Sequence, residues 1–150
     1  MDVYSKLKEL NLVLPELPAS IGIYKRVRQA GNCLYLSGQV SNKDGVMVAG
    51  KVGSERTVEE GQEAAKLCAL NALSALHEHL GDLNKIKGVI KTLAFIQSAD
   101  GFSQQPVVAN GASGLFKEIW GEDGVGARSA IGVNELPGNA SVEIEFIFEI

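Results

Sequence analysis

Four bulky apolar side chains at every second position, Val142, Ile144, Phe146 and Phe148, alternate with Glu143, Glu145, Ile147 and Glu149 near the end of the chain. Strand side chains point alternately to the two faces of a sheet, so this period of two predicts a strand over 141–149 with one apolar face and one largely acidic face. The apolar face must be covered by other elements of the chain. Just upstream, 128–133 reads as a second strand, with Ser129, Ile131 and Val133 facing opposite to Arg128, Ala130 and Gly132. The turn sequence Leu136-Pro137-Gly138-Asn139 joins the two, which are expected to be neighbours.

Two helices supply the cover. Thr57-Val58-Glu59-Glu60 combines an N-cap with a glutamate at the capping-box position, Leu67, Leu70, Leu73 and Leu76 follow, and Gly81 ends the run. A second helix is predicted over 104–120, a nearly all-apolar central strand over 89–96, and a hairpin from 24–30 and 33–36 around Gly31-Asn32. Residues 40–54 read as a strand fragment and loop, and Val3 to Leu12 as a short amphipathic helix stopped by Pro15. The order β-β-α-β-α-β-β predicts an α+β fold, a mixed sheet with two long helices on one face. With 150 residues, 45% of them hydrophobic, and no internal repeat or linker composition, one domain over 1–150 is expected, with 1–14 as a helical extension. A chain of this length buries roughly 70% of its unfolded surface and needs neither disulfides nor a structural metal.

Charge and spacing exclude several functions. A net charge of −4 removes the general attraction for nucleic acid or anionic membranes. Lys25, Arg26 and Arg28 form a local basic stretch, but strand alternation places Lys25 opposite the other two, as on a solvated strand edge. Cys33 and Cys68 sit among apolar neighbours and read as small buried hydrophobes. His77 and His79, two apart on a helix, diverge by about 200° and cannot share an ion. Gly111-Ala112-Ser113-Gly114 falls inside a predicted helix, so it is no phosphate loop, and no cofactor is expected. The opening Met1-Asp2-Val3-Tyr4-Ser5-Lys6 lacks a signal-peptide pattern and no apolar run approaches the ~18 residues of a membrane span, so a cytoplasmic location is expected. Arg128 stands above the small Ala130 and Gly132. That open floor suits a carboxylate held by the planar guanidinium, although spacing alone favours a surface arginine paired with Glu143 or Glu145 on the next strand.

Ala127-Arg128-Ser129, Glu135-Leu136-Pro137 and Val142-Glu143-Ile144-Glu145 closely resemble the C-terminal signature of the Rid, or YjgF-like, family. The resemblance runs in order over about 18–150, through Ile21-Gly22-Ile23-Tyr24, Leu34-Tyr35-Leu36-Ser37-Gly38-Gln39, Asn71, Val89-Ile90-Lys91-Thr92 and Asn110. It departs where Ile23 replaces a proline, Ala130 a cysteine, and the 121–126 loop gains a residue. It implies a chorismate-mutase-like α+β fold assembled as a homotrimer, with sheets forming a central barrel and pockets between subunits. It also implies hydrolysis of enamines and imines such as 2-aminoacrylate to a 2-keto acid and ammonia. Arg128 matches the family's carboxylate-binding arginine, Glu143 the acid that positions water, and Tyr24, Ser37 and Asn110 residues lining the pocket. No metal or cofactor is implied, because a protonated imine is already electrophilic. Three functions remain open: an imine or enamine deaminase, a non-catalytic protein that binds a keto acid or similar carboxylate, and a ribonuclease or RNA-binding protein. The acidic charge disfavours the third, and the longer N-terminal segment resembles a subgroup described as endoribonucleases.

Overall fold

The computed structural model describes residues 2–150; Met1 of the N-terminal reading lies outside them. Its longest element begins where the capping box predicts. In helix α2 (Val58–Leu80) the Thr57 side chain accepts from the Glu60 N–H while the Glu60 carboxylate accepts from the Thr57 N–H, and Gly81 closes the helix in the left-handed conformation. Helix α1 (Val3–Glu9) is capped by Asp2 and buries Val3 and Leu7; it ends well before Pro15, at Leu10 and the left-handed Asn11. Helix α3 spans Gln105–Trp120.

Five strands form the main sheet: β1 (Val27–Ala30), β2 (Cys33–Val40), β5 (Gly88–Gln97), β6 (Ala127–Val133) and β7 (Val142–Glu149). A two-stranded hairpin, β3 (Asn42–Lys43) and β4 (Val46–Met47), interrupts the segment after β2. The sheet order is β1-β2-β7-β5-β6. The predicted hairpin exists, with Ala30 opposite Cys33 across Gly31, whose φ of 60° suits glycine. Its first strand starts at Val27, so Tyr24, Lys25 and Arg26 precede it.

One pairing differs from the expectation. β6 and β7 are not neighbours: β5 lies between them, parallel to β6 and antiparallel to β7. Period-two alternation assigns a face to each side chain but says nothing about which strand comes next in the sheet. The segment Pro137–Asn139 therefore carries the chain across β5 rather than around a tight turn.

Val142, Ile144, Phe146 and Phe148 all point under the helices and are buried, while the intervening residues stay partly or fully exposed. Phe116 of α3 meets Phe146 and Phe148 edge to face, with ring centroids 5.2 and 5.3 Å apart. The opposite face is bare, and Tyr35 and Ile131 are 46% and 44% exposed on it. Among the described residues no helix is long and apolar enough to cross a membrane.

Candidate active site

The register places the two principal candidates on different faces. Thr92 of β5 stands opposite both Arg128 and Phe146, so Arg128 shares the helix-covered face with Phe146. Phe95 stands opposite both Glu143 and Ile131, which puts Glu143 on the bare face. Two strand spacings, about 10 Å, an offset of three residues along the strands, about 10 Å more, and the thickness of the sheet separate them. The cross-strand ion pair considered for Arg128 with Glu143 or Glu145 is therefore absent, because β5 intervenes.

Arg128 is held instead by α3. Its Nη1 donates to Asn110 Oδ1 at 2.9 Å and to Ser113 Oγ at 3.2 Å, and its Nη2 donates to the Pro106 carbonyl at 3.3 Å. Of the five N–H donors on a guanidinium, Nε–H and one Nη2–H remain without a partner in these bonds. Sequence reasoning paired Asn110 with the same site but missed Ser113 and the Pro106 carbonyl. The available signal was helical: Ser113 lies three residues after Asn110, hence on the same side of α3.

Tyr24, Ser37 and Glu143 gather elsewhere, around a concavity of about 540 Å³ walled by Ile21, Met47 and Pro137. Ser37 Oγ donates to the Lys25 carbonyl at 2.6 Å, so its hydroxyl faces the pocket as an acceptor. The Glu143 carboxyl is half-buried, and desolvation, reinforced by repulsion from Glu145, raises its pKa above the ordinary carboxylate value. Glu145 is exposed and lines a separate concavity of about 530 Å³ with Tyr35, Lys25, Arg28 and Lys91. Lys25 and Arg28 thus face the same hollow, contrary to the alternation argument, because Lys25 precedes the strand. Arg26 turns away to Glu78 at 3.4 Å.

The remaining candidates fall outside both groups. Cys68 is fully buried and its thiol pKa is pushed up, first by burial and then by the negative Glu143, which leaves it a poor nucleophile. Cys33 is only half-buried, at the exposed start of β2, rather than a core residue. His77 and His79 are exposed but partnered, to the Tyr4 hydroxyl at 2.8 Å and Gln29 at 3.2 Å. Among the described residues no three His, Cys, Asp or Glu side chains cluster as a metal site would require.

The chain is thus an α+β protein whose sheet is covered by helices on one face, with a tethered arginine on that side and a half-buried glutamate on the other. Residues 4–149 match the family described as YjgF/chorismate mutase-like, putative endoribonuclease, and the chain belongs to that family. Protein TCP17 of Trypanosoma cruzi is 39% identical over 150 residues, 99% of this chain and 94% of that protein. A 2-iminobutanoate/2-iminopropanoate deaminase of Dermatophagoides farinae is 34% identical over 91% of this chain and 92% of its own length. Among solved structures, one described as a putative endoribonuclease from Shewanella oneidensis MR-1 superposes with a TM-score of 0.95 at 30% identity, covering 100% of both chains.

Proposed function

We propose that this protein is an imine deaminase whose site is assembled between adjacent copies of a homotrimer, the Arg128 group coming from one copy and the Glu143 group from the next. The observation that carries this reading is the placement of the two groups on opposite faces of one sheet. No small substrate can touch both within a single chain, and a second copy laid against the bare face can supply the missing half. Apolar exposure on that face at Tyr35 and Ile131 favours such cover. The relative named as a deaminase supports the choice of reaction.

In this reading the substrate is a 2-imino acid or its enamine tautomer. Arg128 receives the carboxylate with the donors that α3 leaves free, and Asn110 and Ser113 keep the guanidinium from swinging. Tyr24 and Ser37 line the other wall, Ser37 accepting a hydrogen bond from water or from the substrate N–H. Water attacks C2 of the iminium, a C–O bond forms, and the C=N π pair moves onto nitrogen while Glu143 takes the proton that water loses. Glu143 then returns that proton to the amine. The C–N bond breaks, nitrogen leaves as ammonia with the bonding pair, and the hydroxyl proton passes to that ammonia as the ketone forms, so iminium plus water becomes 2-keto acid plus ammonium. A raised pKa makes one carboxyl better able both to accept the proton and to return it.

The RNA reading has less behind it, because Arg26 is engaged by Glu78 and the basic hollow contains Glu145. The deciding experiment generates 2-imino acids in situ with an amino-acid oxidase and follows their decay, using Arg128→Ala, Glu143→Gln, and a co-expressed mixture of the two. Each single variant is expected to lose about 10²-fold or more, and the mixture to regain about a quarter of the parent rate, since random assembly pairs an intact arginine with an intact glutamate at one interface in four. A mixture as dead as its components would place both residues in one copy and overturn the shared site. A parent protein that leaves every imine untouched would overturn the reaction.

A further inference from the structure

The register of β2 against β7 breaks once. Leu36 opposes Phe146 and Gln39 opposes Ile144, so Ser37 and Gly38 together oppose the single residue Glu145. This is a β-bulge, and it brings Gly38 beside Glu143. A Cβ built on Gly38 would stand 2.9 Å from Glu143 Cδ, 3.0 Å from Cγ and 3.1 Å from Oε1. Packed carbon atoms do not approach so closely, so the glutamate side chain lies in the volume that any other residue at 38 would fill. Unlike Gly31, Gly38 has no positive φ. The position therefore demands space rather than an unusual backbone.

The neighbours of the carboxylate explain why that space matters. Ser37 has its proton committed to the Lys25 carbonyl. The nearest like charge, Glu145, repels. Among the described residues no hydrogen bond or ion pair tethers the carboxylate, and its placement is decided by where room exists.

We propose that Gly38 is a positioning residue: the empty place at the bulge is the seat that keeps the Glu143 carboxylate folded against β2, half out of water and directed toward Tyr24 and Ser37. The proposal rests on the reading of Glu143 as the proton carrier, and adds what puts it there. A methyl group at 38 would push the carboxylate outward into solvent, where water would stabilise its charged form and draw its pKa back toward the ordinary value.

Carboxyl-labelled glutamate lets NMR titrate Glu143 directly, its resonance assigned by loss in Glu143→Gln. The parent midpoint is expected above the ordinary carboxylate value, and Gly38→Ala is expected to lower it. Turnover of an oxidase-generated imine should fall about 10²-fold in kcat with KM little changed, and the acid limb of the pH profile should move to lower pH. The shorter Glu143→Asp should be costly in the parent but recover activity in the Gly38→Ala background, where its carboxylate clears the methyl group. An unmoved Glu143 midpoint in Gly38→Ala, or an aspartate equally costly in both backgrounds, would overturn the proposal. If Gly38→Ala fails to fold, Gly38→Ala with Glu143→Asp should restore folding; failure of both would show that the bulge backbone, not the carboxylate, needs the glycine. The titration needs no activity, so a protein that hydrolyses no imine yet shows the shift would refute the reaction and leave the seat standing.

Discussion

Arg128 and Glu143 are placed by opposite means. Arg128 is fixed by attraction: three of its donors are taken by α3, which sets both its position and the direction of its free edge. Glu143 is fixed by exclusion: desolvation and the repulsion of Glu145 act on it, and the missing Cβ of Gly38 leaves it one place to lie. A group meant to bind a permanent charge gains from hydrogen-bonded tethers. A group meant to exchange a proton would be spoiled by them, because each bond to the carboxylate form lowers its pKa and its readiness to take a proton.

The largest expected effect tests the tethered side. Arg128→Ala should reduce imine turnover by roughly 10²-fold or more, and Arg128→Lys should recover little, since an ammonium cannot reproduce the planar fork. Circular dichroism should show an intact fold, because Asn110 and Ser113 can reach water once the guanidinium is gone. Near-parent turnover in the alanine variant would end the comparison.

Next comes the excluded side. Glu143→Gln keeps the shape and removes the base, and single-turnover decay should slow by about 10²-fold, whereas Glu145→Gln should cost far less. Equal, small losses at both positions would remove the proton-carrying role, and a larger loss at Glu145 would move the site to the neighbouring hollow.

The smallest effect is on stability and has a definite sign. Glu143 holds its proton more tightly when folded than when unfolded, so the stability it confers is present below the ordinary carboxylate pKa and is lost as pH rises through the raised one. Glu143→Gln should therefore melt above the parent at about pH 8, with the difference vanishing toward pH 4. Identical melting at both pH values would show that the carboxylate is solvated and not held in its seat.

How much of this was readable from residues alone follows from which interactions are local. The capping box at Thr57 and Glu60, the stop at Gly81 and the buried stripe from Val142 to Phe148 depend on spacing within one element, and all three are found. The insertion of β5 between β6 and β7 depends on pairings between distant segments, and neither strand carries a mark of its partner. The same holds for Lys25, whose face followed from a strand that begins only at Val27, and for the bulge at Ser37-Gly38, which exists only in register with β7. The family resemblance named Arg128, Glu143, Tyr24, Ser37 and Asn110 together; the topology shows that within one chain they form two groups on opposite sides of the sheet.

The place of β7 in the sheet bears on how the chain reaches this shape. β7 is flanked by β2 and β5, yet it is the last of the five strands in chain order. During synthesis β1, β2, β5 and β6 all emerge before the strand that holds the two halves together. Until then β2 and β5 each lack a neighbour, and Phe116 has no aromatic partners beneath it. Its pairing with β2 closes a loop of more than a hundred residues, so the slow step of folding should be this late insertion, and the nascent sheet before it should be the species that most needs chaperones.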